Sequence, residues 1–322
     1  MMHKFILVAI FSLFFSLNAC TPIKNGSSYA YITNQGDNTV SVIDIAQSNV
    51  IKTIAVGKAP VGVAVSRTLN RAFITNVEGQ SISVIDTNTN LVIETMTIKG
   101  SPVGITIAPD NKTLYVADWY SDRILAINTS DLSVQGEVIV ATAPAGLAVS
   151  TDSKTLYVAA RDTNDIAVID TASLIIRKRI QVGKHPFGLT LSLDSKMLYS
   201  VNVYDNTVSA IHTNTFKQHT LIVGEHPYCA ALNANNSMIY VTNTQADTVS
   251  VIDLITLKTI KTIDVGMTPE GISFDAANNQ ILVASWGDNE ISVIDAATNT
   301  LKTRIKTGDK SRAFGQFVLT KQ

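Results

Sequence analysis

From residue 29 onward, the chain alternates short apolar runs with short polar clusters. Typical apolar runs are Thr155 to Ala159 (Thr-Leu-Tyr-Val-Ala) and Ile166 to Asp170 (Ile-Ala-Val-Ile-Asp), and a typical polar cluster is Thr151 to Lys154. Runs of about four to eight residues that are rich in Val, Ile and Tyr, bounded by Asp, Asn, Ser and Gly, predict β-strands joined by turns. No segment after residue 29 keeps a helical period, so the pattern predicts an all-β domain.

The strand pattern repeats about every 42 residues. One marker is an apolar-Ile-Asp motif or a variant of it, which ends at Asp44, Asp86, Asn128, Asp170, His212, Asp253 and Asp295. A second marker keeps the same period at Pro60, Pro102, Pro144, Pro186, Pro227 and Pro269, with Ser311 in the seventh place. Each unit contains four predicted strands (a to d), and one such sheet buries both faces only against its neighbours. The repeat therefore predicts a seven-bladed β-propeller of four-stranded antiparallel blades.

The two ends of the repeat region complement one another. The region begins with a b strand, Tyr29 to Asn34, and ends with an a strand, Phe314 to Leu319. We therefore expect the C-terminal strand to complete the first blade as its innermost strand and to close the ring. The predicted propeller spans residues 29–322.

The repeat resembles a known family. The tetrapeptide Tyr240-Val241-Thr242-Asn243 resembles the YVTN β-propeller repeat, and Tyr31 to Asn34 and Phe73 to Asn76 are variants of it. The resemblance covers about nine tenths of the chain and implies the propeller fold. It leaves function open, because members of that family include surface-layer, nucleic-acid-binding and uncharacterised envelope proteins.

Residues that recur in most blades are interpreted as structural. The Asp residues that end strand c are expected to accept hydrogen bonds from backbone N–H groups of the c–d turn. The glycines two residues after the repeated prolines are expected where strands converge on the axis; they are Gly62, Gly104, Gly146, Gly188 and Gly271. Cys229 stands in the corresponding place in the sixth unit, and we expect it to be a small buried core residue.

Residues 1–19 have the pattern of an export signal. His3 and Lys4 precede the apolar run Phe5 to Phe15, which is too short to span a bilayer. The sequence Leu17 to Cys20 (Leu-Asn-Ala-Cys) resembles a bacterial lipobox, which implies cleavage before Cys20 and its acylation. The alternative is an ordinary secretory signal with an incidental Cys20.

Residues 20–28 are then the lipidated cysteine and a polar tether. Since Thr21 rather than Asp follows the cysteine, the expected location is the outer membrane, facing the periplasm, with secretion or the cell surface as alternatives. The lipid anchor is the only membrane contact expected. The chain is expected to be a monomer.

The charge balance identifies no partner. The chain of 322 residues has 26 acidic and 25 basic residues. This near-neutral balance lacks the basic footprint of nucleic-acid-binding proteins, so nucleic acid is not an expected partner. No cofactor is predicted from any motif.

Function is expected where the blades differ, at the channel mouth formed by the d–a and b–c loops. In the later units, the residues beside the repeated proline are large or charged instead of small. The candidate ligand- or partner-binding residues are His185, Phe187, His226, Tyr228, Glu270, Lys310 and Arg312 beside the prolines, and Trp119, Tyr120, Arg161, Tyr204 and Trp286 in the b–c loops.

Three classes of function fit this sequence. The first is a non-catalytic envelope propeller that binds a protein, glycan or small ligand at the mouth. The second is a lactonase- or lyase-type propeller enzyme with a metal in the channel, for which His185, His226 and Glu270 are the available ligands. The third is nucleic-acid binding. The first is our prediction, with no catalytic residue and no metal assigned.

Overall fold

A computed structural model describes residues 27–140 and 142–321 of the chain. They form seven sheets, one for each blade. The strands are β1 (Ser28–Asn34), β2 (Thr39–Asp44), β3 (Asn49–Ala55), β4 (Pro60–Ser66), β5 (Arg71–Asn76), β6 (Ser81–Asp86), β7 (Leu91–Thr97), β8 (Pro102–Ile107), β9 (Thr113–Asp118), β10 (Arg123–Asn128), β11 (Val134–Ile139), β12 (Pro144–Val149), β13 (Thr155–Ala160), β14 (Asp165–Asp170), β15 (Ile175–Gln181), β16 (Pro186–Leu191), β17 (Met197–Asn202), β18 (Thr207–His212), β19 (Gln218–Ile222), β20 (Pro227–Leu232), β21 (Met238–Asn243), β22 (Thr248–Asp253), β23 (Lys258–Asp264), β24 (Pro269–Asp275), β25 (Gln280–Ser285), β26 (Glu290–Asp295), β27 (Thr300–Lys306), β28 (Phe314–Gln316) and β29 (Val318–Thr320).

The predicted seven-bladed propeller is confirmed. Blade 1 has the strand order β29-β1-β2-β3, blades 2 to 7 begin with β4, β8, β12, β16, β20 and β24, and all four strands of each blade are antiparallel. The first strand of each blade lies at the inner end of its sheet. One turn of 3-10 helix, Arg161–Thr163, occupies the b–c loop of blade 4, where the sequence predicted a loop.

The ring closes through the C-terminus, as predicted, but the closing segment is divided into two strands. β29 pairs antiparallel with β1, with Tyr29 opposite Leu319, and completes blade 1. β28 pairs parallel with β4 of blade 2, with Phe314 opposite Gly62. Gly315 makes this possible, because its φ of +116° suits glycine and a Cβ atom there would lie 2.5 Å from the carbonyl oxygen of Val63.

The Tyr and Thr residues of the repeated tetrapeptide join neighbouring blades. Thr33 Oγ1 donates a hydrogen bond of 3.0 Å to the carbonyl of Val61, and Thr242 Oγ1 makes the equivalent bond to Glu270. Tyr240 OH donates to Asn299 Oδ1 in blade 7. These roles belong to the architecture, so the tetrapeptide carries no information about a ligand.

The structural interpretation of the other repeated residues is confirmed. Asp253 Oδ1 accepts hydrogen bonds from the backbone N–H groups of Ile255 and Thr256, and His212 Nδ1 occupies the same place in blade 5, accepting from Asn214 and Thr215 at 3.3 Å each. The inner glycines lie against the backbone of the adjacent blade. A Cβ atom added at any of them would lie only 2.0 to 2.6 Å from a carbonyl oxygen of that blade; the distances are 2.4 Å at Gly62, 2.0 Å at Gly104, 2.1 Å at Gly146, 2.6 Å at Gly188 and 2.2 Å at Gly271.

Cys229 is a free, buried cysteine, as expected. Burial raises the pKa of its thiol, with the carboxylate of Glu270 adding to the shift and Arg312 opposing it. The predicted signal segment 1–19, Cys20 and the tether as far as residue 26 lie outside the described residues. Within residues 27–140 and 142–321, no helix is long and apolar enough to cross a membrane.

Candidate binding site at the channel mouth

The backbone at the mouth is held in place mostly by the preceding blade. Most of the residues before the repeated prolines, His185 and His226 among them, have φ values near +50°. The N–H of His185 donates to Asn164 Oδ1 at 2.8 Å, and that of His226 donates to Asn206 Oδ1 at 2.9 Å. Since these bonds fix the two histidines before any ligand arrives, the mouth is preorganised.

Aromatic rings close the channel below the mouth. Phe187 is buried, and its ring centroid lies 4.2 Å from that of Tyr228 and 4.9 Å from that of Phe314. Trp119 lies against the other side of Phe187, with the ring centroids 5.8 Å apart. These offset and tilted contacts are the arrangements that aromatic pairs prefer. The rings form a floor, so the channel is not an open pore at this level.

A charged pair completes the floor. Arg312 donates from Nε and Nη2 to the two carboxylate oxygens of Glu270, and Nη2 also donates to Tyr228 OH at 2.8 Å. Burial raises the pKa of Glu270, and the charge and hydrogen bonds of Arg312 oppose that shift. Burial also raises the pKa of Tyr228, so its hydroxyl stays protonated. Each charge has a partner, as a buried pair requires.

The walls of the mouth are stacked rings. Tyr204 stacks on His185, with centroids 4.0 Å apart and an interplanar angle of 29°, and its centroid lies 5.3 Å from that of His226. The guanidinium of Arg161 lies 5.3 Å from the centre of the Trp119 ring, which is a cation–π contact. Burial, and then the charge of Arg161, lowers the pKa of His185, so this imidazole is neutral at pH 7. Its Nδ1 is buried and has no hydrogen-bond partner among the described residues.

These residues enclose a cavity of about 290 Å³, the mouth cavity. Most of the residues that the sequence singled out line it, namely Trp119, Arg161, His185, Phe187, Tyr204, His226, Tyr228 and Glu270. Arg312 reaches it only through Glu270 and Tyr228. The remaining three lie outside the lining: Lys310 contacts the Trp286 ring at 5.3 Å, and Tyr120 is 80% exposed.

The suggested metal set is not supported by the contacts of its members. Both carboxylate oxygens of Glu270 already accept hydrogen bonds from Arg312. Within the described part of the chain, no group of three or more His, Cys, Asp or Glu side chains is placed to hold a metal ion.

The sequence missed a second and larger cavity at the other end of the channel. It measures about 590 Å³ and lies between the inner strands on the face of the a–b turns. A signal for it is present: the a–b turns of blades 5 to 7 begin with Leu193, Ala234 and Ala276, whereas those of blades 2 and 4 begin with Arg67 and Thr151.

Three solved structures show the same fold. Hydrazine synthase from Kuenenia stuttgartiensis has a TM-score of 0.76 and 20% identity over 83% of this chain and 92% of its own. A functionally unknown protein from Desulfotomaculum acetoxidans DSM 771 has a TM-score of 0.77 and 12% identity over 89% of this chain and 99% of its own. Dihydro-heme d1 dehydrogenase NirN, in complex with DHE, has a TM-score of 0.67 and 15% identity over 86% of this chain and 63% of its own.

At these identities, the structures establish the fold and not an activity. No curated protein matches the chain in sequence. The model of one protein family matches residues 17–320, which is nearly the whole chain. The repeat and its tetrapeptide, the seven blades and this match together show that the chain belongs to the YNCE-like β-propeller family, a YVTN-type propeller.

Proposed function

We propose that the protein is a non-catalytic binding propeller of the cell envelope that takes its ligand in the mouth cavity. In this proposal, Cys20 carries a lipid anchor that holds the propeller at the outer membrane, facing the periplasm. The observation that carries the binding site is the ring-lined cavity itself, which is built only from positions where the blades differ.

The lining suggests the chemistry of the ligand. Trp119, Phe187, Tyr204 and Tyr228 line the cavity with aromatic rings, which favour a ligand with a flat apolar face. Arg161 and His185 add polar side chains to the lining. A saccharide ring or a small aromatic molecule with hydroxyl or anionic groups matches both features, and a cavity of this volume holds about one such ring system.

A binding role fits the electrostatics better than catalysis. The carboxylate that lines the mouth cavity, Glu270, is paired with Arg312 in the floor, so neither charge is poised to transfer a proton or attack a ligand. The ring of His185 is stacked on that of Tyr204. We therefore expect a bound ligand to be released unchanged.

Calorimetric titration tests the site. The probes are soluble peptidoglycan fragments, oligosaccharides released from the envelope and small aromatic acids. The test variant is Tyr204→Ala, and the matched control is Tyr120→Ala, which removes an exposed ring from another b–c loop. We expect Tyr204→Ala to weaken binding at least about 10-fold, since it removes one stacking wall. Equal affinities for the two variants would contradict the proposed site.

Further measurements test the rest of the proposal. Mass spectrometry of the mature N-terminus should show acyl groups on Cys20, and Cys20→Ala should release the protein from the membrane fraction.

Mass spectrometry of the recovered ligand should show no chemical change. A single-stranded oligonucleotide should not bind at physiological salt; saturable binding there would favour the nucleic-acid alternative.

A further inference from the structure

The larger cavity, here called the distal cavity, lies at the end of the channel opposite to the mouth cavity. Its walls are inner-strand side chains, including Leu147, Leu189, Leu191, Ile272 and Phe274. Phe314 and Cys229 also line it. Because Phe314 packs against Phe187 and Tyr228 of the aromatic floor, that floor separates the two cavities. The distal cavity is therefore a separate site, and its volume of about 590 Å³ falls in the range of small-molecule sites.

The lining of the distal cavity is uncharged. Within the described part of the chain, it contains no Asp, Glu, Lys, Arg or His side chain. Its polar side chains are Thr106, Thr190, Asn233, Asn236 and Gln316. A charged ligand would lose its hydration here without gaining a counter-charge, which costs several kcal/mol. This argues for an uncharged, largely apolar ligand.

The turns around the distal cavity show where it opens. In blades 3, 4 and 5, the left-handed residue of the a–b turn binds the preceding blade. Asn111 accepts from Ser66 at 2.6 Å, and the Oγ atoms of Ser153 and Ser195 accept from backbone N–H groups at 3.1 and 2.9 Å. Asn236 is the equivalent residue of blade 6, but its Oδ1 is buried and has no hydrogen-bond partner among the described residues.

The turn of blade 6 that lacks this hydrogen bond lies beside the apolar opening of the distal cavity. The preceding blade contributes Leu193 there, which is 68% exposed, and both Leu193 and Asn236 line the distal cavity. Asn236 Oδ1 itself is buried, so the missing hydrogen bond marks a gap between the turns of blades 5 and 6 and not a contact for a ligand. The exposed leucine adds apolar surface at the entrance.

We propose that the distal cavity binds an uncharged, largely apolar small molecule, which enters beside Leu193. This site is distinct from the mouth cavity and does not depend on the function proposed for it. The channel then carries two binding sites, one at each end of the aromatic floor.

Fluorescence titration of the full mature chain carrying Cys20→Ala tests the proposal with two related probes. N-Phenyl-1-naphthylamine is uncharged and apolar and carries one N–H donor, whereas 8-anilinonaphthalene-1-sulfonate has the same ring system with a negative charge. We expect saturable binding of the first probe and binding of the second that is at least about 10-fold weaker, because the sulfonate finds no counter-charge. Equal affinities would overturn the proposal.

Two further comparisons locate the probe. Ala148→Leu fills the cavity and should abolish binding; if it does not fold, Leu193→Asp places a charge at the exposed entrance and should weaken binding without affecting the core. Retained affinity in a folded variant of either kind would overturn the site. If the acylated wild-type chain excludes the probe while the Cys20→Ala chain binds it, the occupant is the anchor's own hydrocarbon, and a separate ligand is ruled out.

Discussion

Removal of the C-terminal segment should unfold the ring, because this segment completes one blade and contacts another. The deletion of residues 312–322 takes away β28 and β29, which leaves β1 and β4 without their inner partners. It also removes four large apolar side chains that are buried in the native state, Phe314, Phe317, Val318 and Leu319.

The size of the loss follows from that burial. At about 1.5–3 kcal/mol for each large apolar side chain, the four contribute roughly 6–12 kcal/mol. This range matches the whole free energy of unfolding of an ordinary domain, about 5–15 kcal/mol. The single substitution Phe317→Ala, at a fully buried position, should cost about 3–5 kcal/mol.

Urea denaturation, followed by circular dichroism and limited proteolysis, measures both changes. The shortened chain should show no cooperative transition and should be cleaved rapidly, and addition of a peptide of residues 311–322 should restore part of the protection. Phe73→Ala, which removes another fully buried ring, is the control: it should lower stability without being rescued by the peptide. A shortened chain with an unchanged midpoint would refute the account of ring closure.

Three further predictions concern the floor, the mouth and the blade contacts. Arg312→Leu should lower the free energy of unfolding by about 3–5 kcal/mol, because it leaves Glu270 buried without a partner, and the double variant with Glu270→Leu should recover most of that loss; urea denaturation measures both. The pKa of His185 is lowered in the folded state, so NMR titration should give a midpoint below the ordinary value of 6.5, and a midpoint above 6.5 would contradict this. The contribution of His185 to the free energy of unfolding should be present above pH 6.5 and lost as the pH falls through the folded-state pKa. Gly146→Ala should lower the free energy of unfolding by about 1–3 kcal/mol in the same denaturation assay, because the new methyl group would lie 2.1 Å from the backbone of the next blade. Gly136→Ala should lower it less, because its methyl group would meet only the end of a leucine side chain.

The fold could be predicted from the sequence because its markers have a strict geometrical role in every blade. The residue that ends strand c must accept hydrogen bonds from the turn, which even His212 does, and the inner glycines must admit a neighbouring carbonyl oxygen. Such requirements recur with the period of the repeat and are visible without coordinates. Departures from the repeat at His185 and His226 also pointed to the mouth.

The features that could not be predicted from the sequence depend on which side chains of different blades meet around the axis. The Arg312–Glu270 pair joins residues 42 positions apart, and the stacking of Tyr204 on His185 depends on how a b–c loop folds back over the inner strand. The division of the closing strand depends on the approach of Gly315 to Val63 in a distant blade. The distal cavity follows from small and apolar side chains that converge from several blades, and the apolar residues that begin the a–b turns of blades 5 to 7 indicate it only once the blades are arranged around the axis.

Binding at the mouth is tested most directly by the fluorescence of Trp119. The chain has two tryptophans, so Trp286→Phe leaves Trp119, which lines the mouth cavity, as the only one. Titration with the envelope saccharides and aromatic acids named above should give a saturable change in its emission for a bound ligand. That change should be lost in the Tyr204→Ala background and retained in the Tyr120→Ala background. A ligand that binds saturably by calorimetry but leaves Trp119 emission unchanged, or is unaffected by Tyr204→Ala, would contradict the proposed site.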